Sequence, residues 1–176
     1  VDFDIKSAKV VPRGALAMVM HASEMAQGNF WQTKIADQAL NALGPRDYCG
    51  VVHYGGPGCV WLWNPGLLTV GGNRGLMTAR LSRMTPGDMP NFDPGMVLAK
   101  NGFARLPDAA VKHMIVISDG DPSPPSAGVV KALIKMKVTV STVAVGTHGL
   151  PGSSLLKKLA NDTGGKYYKV TNAKAL

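Results

Sequence analysis

His113-Met-Ile-Val-Ile-Ser118, running straight into Asp119-Gly-Asp-Pro-Ser-Pro-Pro-Ser126, decides the fold class of this chain. An apolar, β-branched run without polar alternation reads as a strand buried on both faces, and the Asp-Gly-Asp-Pro that follows breaks it. The same signature recurs in Ala15-Leu-Ala-Met-Val-Met20, Cys49-Gly-Val-Val-His-Tyr54, Val138-Thr-Val-Ser-Thr-Val-Ala-Val145 and Lys166-Tyr-Tyr-Lys-Val170. Between these runs the apolar residues take helical spacing. Trp31, Ile35, Ala39, Leu40 and Leu43 share one face, as do Met96, Val97, Lys100, Phe103 and Leu106. Val129, Val130, Leu133 and Ile134 form a third stripe, and Leu155, Leu156, Leu159 and Ala160 a fourth, closed by Gly164-Gly165. A weaker helix spans Leu76 to Met84.

Strand and helix in alternation predict a three-layer αβα, Rossmann-like domain with a mostly parallel central sheet. Cys49–Tyr54 and Cys59–Trp63 are joined only by Gly55-Gly-Pro-Gly58, too short for a crossover, so Cys59–Trp63 is expected as one antiparallel edge strand. On such a strand Trp61 and Trp63 share a face. Tyr54 pairs near Cys59, which leaves Cys49 displaced along its strand and argues against a disulfide. The alternation at Phe3 and Ile5 offers a further edge strand.

The 176 residues carry 19 Lys+Arg against 11 Asp+Glu, a formal charge of +8, and are 45% hydrophobic. That composition describes one folded domain and excludes a disordered basic tail. The longest apolar runs fall far short of the ~20 residues that cross a bilayer, so direct membrane insertion by this segment is not expected. Two cysteines cannot organise a disulfide framework or a Cys-rich zinc site. The basic residues on the predicted helices lack interleaved aromatics, so nucleic acid is not expected as a partner.

In an open parallel sheet, ligands bind at the carboxyl ends of the strands. The segments at that edge are His21–Gly28, Thr85–Pro94 and Asp119–Ser126. They hold Glu24, Asp88, Asp93, Asp119 and Asp121, five of the chain's 11 acids, and no Lys or Arg. A basic chain thus concentrates acids where a site belongs. Met25 and Met89 give this crown an apolar component, and His148, after the fifth strand, lies at the same edge. Two readings stay open. In one, His21 and the crown carboxylates form a site suited to Zn²⁺, Mn²⁺ or Fe²⁺. In the other, His21 and Asp119 bond across neighbouring strand ends while the remaining acids cap helices and turns, Asp93 before Pro94 being a natural N-cap. His21, Ser23 and Asp119 are the residue types of a hydrolase triad, but no Gly-x-Ser-x-Gly elbow accompanies them, and no catalytic residue is assigned.

The order of these segments resembles the von Willebrand factor type A family. Ala15–Met20 with His21-Ala-Ser-Glu-Met25 is similar to its first strand and metal loop, and Leu43-Gly-Pro-Arg-Asp-Tyr-Cys-Gly-Val-Val52 to its second strand. Met84-Thr-Pro-Gly-Asp-Met-Pro-Asn-Phe-Asp-Pro-Gly-Met-Val-Leu-Ala99 resembles the second metal loop, and Met114-Ile-Val-Ile-Ser-Asp-Gly-Asp-Pro122 the fourth strand and third metal loop. Val140-Ser-Thr-Val-Ala-Val-Gly146 and Leu159-Ala-Asn-Asp-Thr-Gly-Gly-Lys-Tyr-Tyr168 complete the match. The resemblance implies a metal-ion-dependent adhesion site of the form Asp-x-Ser-x-Ser, Thr and Asp, holding Mg²⁺ or Mn²⁺. Here His21 stands at the Asp position, Met25 at the second Ser and Pro90 at the Thr, and only Ser23 and Asp119 survive as metal-ligand positions. Met offers no hard oxygen to Mg²⁺, so a degenerate site without a cofactor is expected, with Mg²⁺ or another divalent metal as the alternative.

The resemblance implies a single domain over residues 1–176, excised from a larger, multidomain, membrane-associated bacterial protein. Its expected activity is non-catalytic adhesion or scaffolding. It would bind a protein partner, or an adjacent domain of the same chain, through His21, Ser23, Glu24, Met25, Asp88, Met89, Asp93, Asp119 and Asp121. The alternative is a metal-dependent binding or catalytic site built from His21 and the crown carboxylates.

Overall fold

The computed structural model describes residues 11–23, 27–147 and 149–170. The elements run β1 (Arg13–Met20), α1 (Gly28–Asn41), β2 (Tyr48–Tyr54), β3 (Cys59–Trp61), β4 (Leu68–Thr69), α2 (Arg74–Leu81), α3 (Asp93–Ala104), β5 (Ala109–Ser118), α4 (Ala127–Lys135), β6 (Val138–Val145), α5 (Gly149–Thr163) and β7 (Tyr167–Val170). The sheet order is β3-β2-β1-β5-β6-β7, with β4 also paired to β2. All pairings from β2 through β7 along this path are parallel, and β3 and β4 run antiparallel to β2. This is the three-layer αβα architecture expected from the strand and helix alternation.

β1 is the central element, and its period-two alternation divides the core. Leu16, Met18 and Met20 pack with Ala36 and Leu40 of α1 and Met77 and Leu81 of α2. Ala15, Ala17 and Val19 face the other way, toward Met96 and Phe103 of α3, Leu133 of α4 and Leu156 of α5. Because both faces are covered, β1 has no solvent side to be polar on. After β1 the chain moves to β2 on one side, and later returns to β5 on the other. The ends of β1 and β5 are therefore the point where strand order reverses.

The hairpin register matches expectation, with Tyr54 opposite Cys59. Both cysteines are free thiols. They also face opposite layers, Cys49 the α1 and α2 side and Cys59 the α3 side. Burial pushes the Cys49 thiol up to about 12, which leaves it an inert core group.

Two expectations need correction. Trp61 and Trp63 do not share a face: β3 ends at Trp61, and the chain turns, so strand alternation no longer governs Trp63. Trp61 packs on the α3 side, while Trp63 is buried on the α1 and α2 side with its indole N–H donating to the Cys49 carbonyl at 3.2 Å. The weak helix is shifted, covering Arg74–Leu81 rather than Leu76 to Met84. β4 is an addition, only Leu68–Thr69, and two residues carry no periodic signal that would announce it. Phe3 and Ile5 lie outside the described residues.

Arg74 shows how α2 is tied to α1. Its guanidinium donates to the Leu40 carbonyl at 2.9 Å and the Leu43 carbonyl at 2.6 Å, at the C-terminal end of α1, where carbonyls lack helical partners and the helix dipole favours a cation. Charge-assisted bonds of this kind are worth about 1.5–3 kcal/mol each in net stability. Replacing Arg74 with Met, which keeps the stem but removes both bonds, is expected to cost at least about 3 kcal/mol, read as a lower urea midpoint at unchanged slope.

Candidate functional site

Three segments meet at the C-terminal edge of the sheet. The first continues β1: the His21 amide donates to the Ile117 carbonyl at 3.0 Å, which holds His21 in register with β5 after the strand has formally ended. The Ala22 amide then donates to the Gly87 carbonyl of the second segment at 3.1 Å. Gly87 lies directly on the end of β2, where a Cβ would come 2.4 Å from the Tyr54 carbonyl oxygen. Only glycine lets the segment carrying Asp88 come this close. The third segment, after β5, turns at Gly120 with φ +89°, and a Cβ there would come 2.7 Å from the Gly152 carbonyl near the start of α5.

These backbone contacts place the imidazole of His21, 1% exposed, among three carboxylates. Its Nδ1 lies 3.2 Å from Oδ1 of Asp119 and 3.1 Å from the Ser118 hydroxyl. Its Nε2 lies 3.0 Å from Oδ1 of Asp88 and 3.3 Å from Oδ1 of Asp121. An ionised carboxylate is an acceptor only, and neutral imidazole has one N–H. Carboxylates at both ring nitrogens therefore call for one more proton, on the ring or on a carboxyl, or for a cation at one nitrogen. Burial works against charging His21, but the hydrogen bonds to Asp119 and Asp88 and the charges of Asp119 and Asp121 outweigh it, so its pKa is raised. Asp121 is raised as well, through burial and the neighbouring Asp119 charge, with His21 opposing.

The sequence-predicted residues divide clearly. His21, Asp88, Asp119 and Asp121 come together. Ser23 is adjacent but turned to structural work, its hydroxyl donating to the Val145 carbonyl at 3.0 Å and its amide to the Asn29 side chain at 2.9 Å. Asp93 does not join them. Its carboxylate accepts the Ser126 amide at 2.7 Å and so laces the second segment to the start of α4, rather than capping α3, which begins at Asp93 itself. Met89 is 1% exposed and packs in the α3-side core, so it gives the crown no apolar contact surface. Glu24, Met25 and His148 lie outside the described residues. Sequence reasoning misses Ser118. Its hydroxyl touches His21 and accepts the Gly120 amide at 2.9 Å, yet in the sequence it is one more residue at the end of a strand.

No family model matches the sequence, and no curated protein matches it. Solved structures do. A von Willebrand factor type A protein from Catenulispora acidiphila aligns over 92% of this chain at 20% identity and a TM-score of 0.69. The PilB minor pilin from Streptococcus sanguinis aligns over 96% at 10% identity and 0.68. Proximal thread matrix protein 1 from the mussel byssus, solved with a zinc-occupied metal-ion-dependent adhesion motif, aligns over 90% at 17% identity and 0.63. The fold is that of a von Willebrand factor type A domain. The chain spans 39%, 59% and 41% of those three proteins.

The Mg²⁺ ligand pattern implied by the type A resemblance does not fit the residues present. His21 replaces a carboxylate, and the only oxygen of Pro90, its carbonyl, accepts the Ser123 amide at 3.0 Å. Mg²⁺ demands hard oxygens in near-octahedral array. A different set is available: His21, Asp88 and Asp121 each present a ligand atom within 4.8 Å of the others. One imidazole with two carboxylates suits a borderline cation better than Mg²⁺.

The electrostatics give two expected outcomes. His21→Ala removes the imidazole that lies 3.2 Å from the buried carboxylate of Asp119 and should cost about 3–5 kcal/mol. Asp88→Asn, at a side chain 80% exposed, should cost less than about 1 kcal/mol; urea unfolding of the two variants reads the difference. Because the folded-state pKa of His21 is raised, its stabilisation is complete below its unfolded value of about 6.5 and is lost as pH rises through the folded value. The raised Asp121 acts in the same direction, beginning at lower pH. The Tm should fall as pH rises from about 6 to 8, and do so less steeply in His21→Gln; a Tm rising over that interval would contradict this assignment.

Proposed function

We propose that this chain is a non-catalytic interaction module that binds a protein partner, or an adjacent domain of its own parent protein, through the crown at the C-terminal edge of the sheet. The observation that carries this reading is the convergence of His21 with Asp88, Asp119 and Asp121 at the switch point of a type A fold. His21 is buried together with Ser118 and Asp119, and the three position the loops. Asp88 and Asp121 remain exposed and are the groups a partner would meet. With His21 charged, its proton supplies the positive centre that a metal supplies in an adhesion site, and the crown keeps a net negative charge for a basic group on the partner. Ser23 and Asp93 serve the loops, and no catalytic residue is assigned.

A second reading has its own support. A nitrogen and two carboxylate oxygens within 4.8 Å can hold a divalent cation in place of that proton, and the mussel protein carries zinc at its adhesion motif. Thermal-shift titration separates the two, since a ligand that binds the folded state raises Tm. The metal-free reading expects no rise with millimolar Mg²⁺, Mn²⁺ or Zn²⁺. A rise with Zn²⁺ that disappears in both His21→Gln and Asp121→Asn would transfer the site to the second reading. The crown itself is tested with a tri-arginine peptide and isotope-labelled protein at low salt: amide shifts should centre on Asp88 and Asp121 and vanish in the double Asn variant. Shifts elsewhere, or none, would overturn it.

A further inference from the structure

A groove leaves the crown between α4 and α5. Both helices begin at the C-terminal edge of the sheet and run back along the same layer, so they lie parallel. Three hollows of about 340, 80 and 460 Å³ follow the seam. The first reaches Asp121 of the crown, shares Pro124 and Leu155 with the second, and the second shares Pro125 and Val130 with the third, which ends at Lys131 and Ile134. They form one channel with an apolar floor. Ile134 is 47% exposed, although the helical periodicity groups it with the core stripe of α4.

The two ends differ in charge. Asp121, with Asp88 beside it across His21, makes the crown end acidic. Lys131 makes the far end basic, since the neighbouring Lys158 is paired with Asp162 and Lys131 has no ion pair among the described residues. From Gly152 to Asp162 the seam follows α5 for ~15 Å at about 1.5 Å per residue, the span of about four or five extended residues.

We propose that this groove receives a linear peptide segment of the partner, with a basic residue at the crown, apolar side chains against Leu155, Val130 and Ile134, and an acidic residue at Lys131. The proposal rests on the crown reading and extends it by naming the partner's chemistry. A charge at each end fixes the direction in which the peptide lies, and the apolar floor supplies the contact area.

The test selects binders from a displayed library of random peptides on the full chain. Selected peptides should share a basic and an acidic residue separated by about four positions with apolar residues between them. Two exposed groove positions, Ile134→Asp and Ala127→Arg, should each weaken binding at least about tenfold, and Lys131→Glu should select peptides with the acidic position reversed. Asp88→Asn with Asp121→Asn tests the crown separately. Loss in both sets upholds both inferences. Loss in the crown variant alone overturns the groove and leaves the crown reading standing. Loss in the groove variants alone overturns the crown reading and the anchoring of the basic end with it. Failure to select any peptide, or self-association abolished by Ile134→Asp, overturns the proposal.

Discussion

Burying a carboxylate costs several kcal/mol unless a positive charge and hydrogen bonds compensate it, and Asp119 is 1% exposed at the end of a strand that is itself covered on both faces. The rest of the crown is organised around that constraint. β1 and β5 pair in register up to Met20 and Ile117, and the His21 amide extends the ladder by one bond. The imidazole is therefore delivered beside Asp119 by the sheet and not by a loop. Once it is there, its outer nitrogen gathers Asp88 and Asp121 from the other two segments. One side chain joins three loops, which is the structural task a bound cation performs in an adhesion site.

Backbone close approach makes the gathering feasible. Gly87 brings the Asp88 segment onto the end of β2, and Gly120 lets the β5–α4 turn lie on the start of α5. Asp93 laces the second segment to the third through the Ser126 amide, supported by the Phe92 amide on the Ser123 carbonyl at 3.2 Å. Asp93 and Asp88 stand in the same segment and do different work: one fixes a loop, the other faces solvent beside His21.

Much of the fold is legible in the sequence because buried strands and amphipathic helices carry periodic signals. The strand runs from Ala15 to Val170 and the helices of the described residues follow from apolar spacing, and the short Gly55–Gly58 link dictates the hairpin. What escapes lacks a period. β4 is two residues long, and Trp63 follows a turn that the alternation of β3 cannot see. In the site, residue type and edge position identify His21, Asp88, Asp119 and Asp121. The same criteria cannot distinguish Met89, whose side chain turns inward, from a residue of the surface, nor see that Ser118 faces His21. Which way a loop side chain points depends on contacts between segments distant in sequence.

Charge, read as a sum, conceals this arrangement. The formal +8 describes a basic protein, yet the crown carries carboxylates around a single imidazole and no Lys or Arg. With His21 protonated, three carboxylates leave the cluster negative, and the helix dipoles of α4 and α5, whose N-termini point to this edge, offset only part of that charge. Asp119 is buried against His21, so the part of the cluster's negative charge that reaches solvent is that of Asp88 and Asp121. Lysines lie farther along the same helices, so the field changes sign along the seam that joins them. A partner that approached by average charge would be acidic; one that approached this edge would have to present a basic group first.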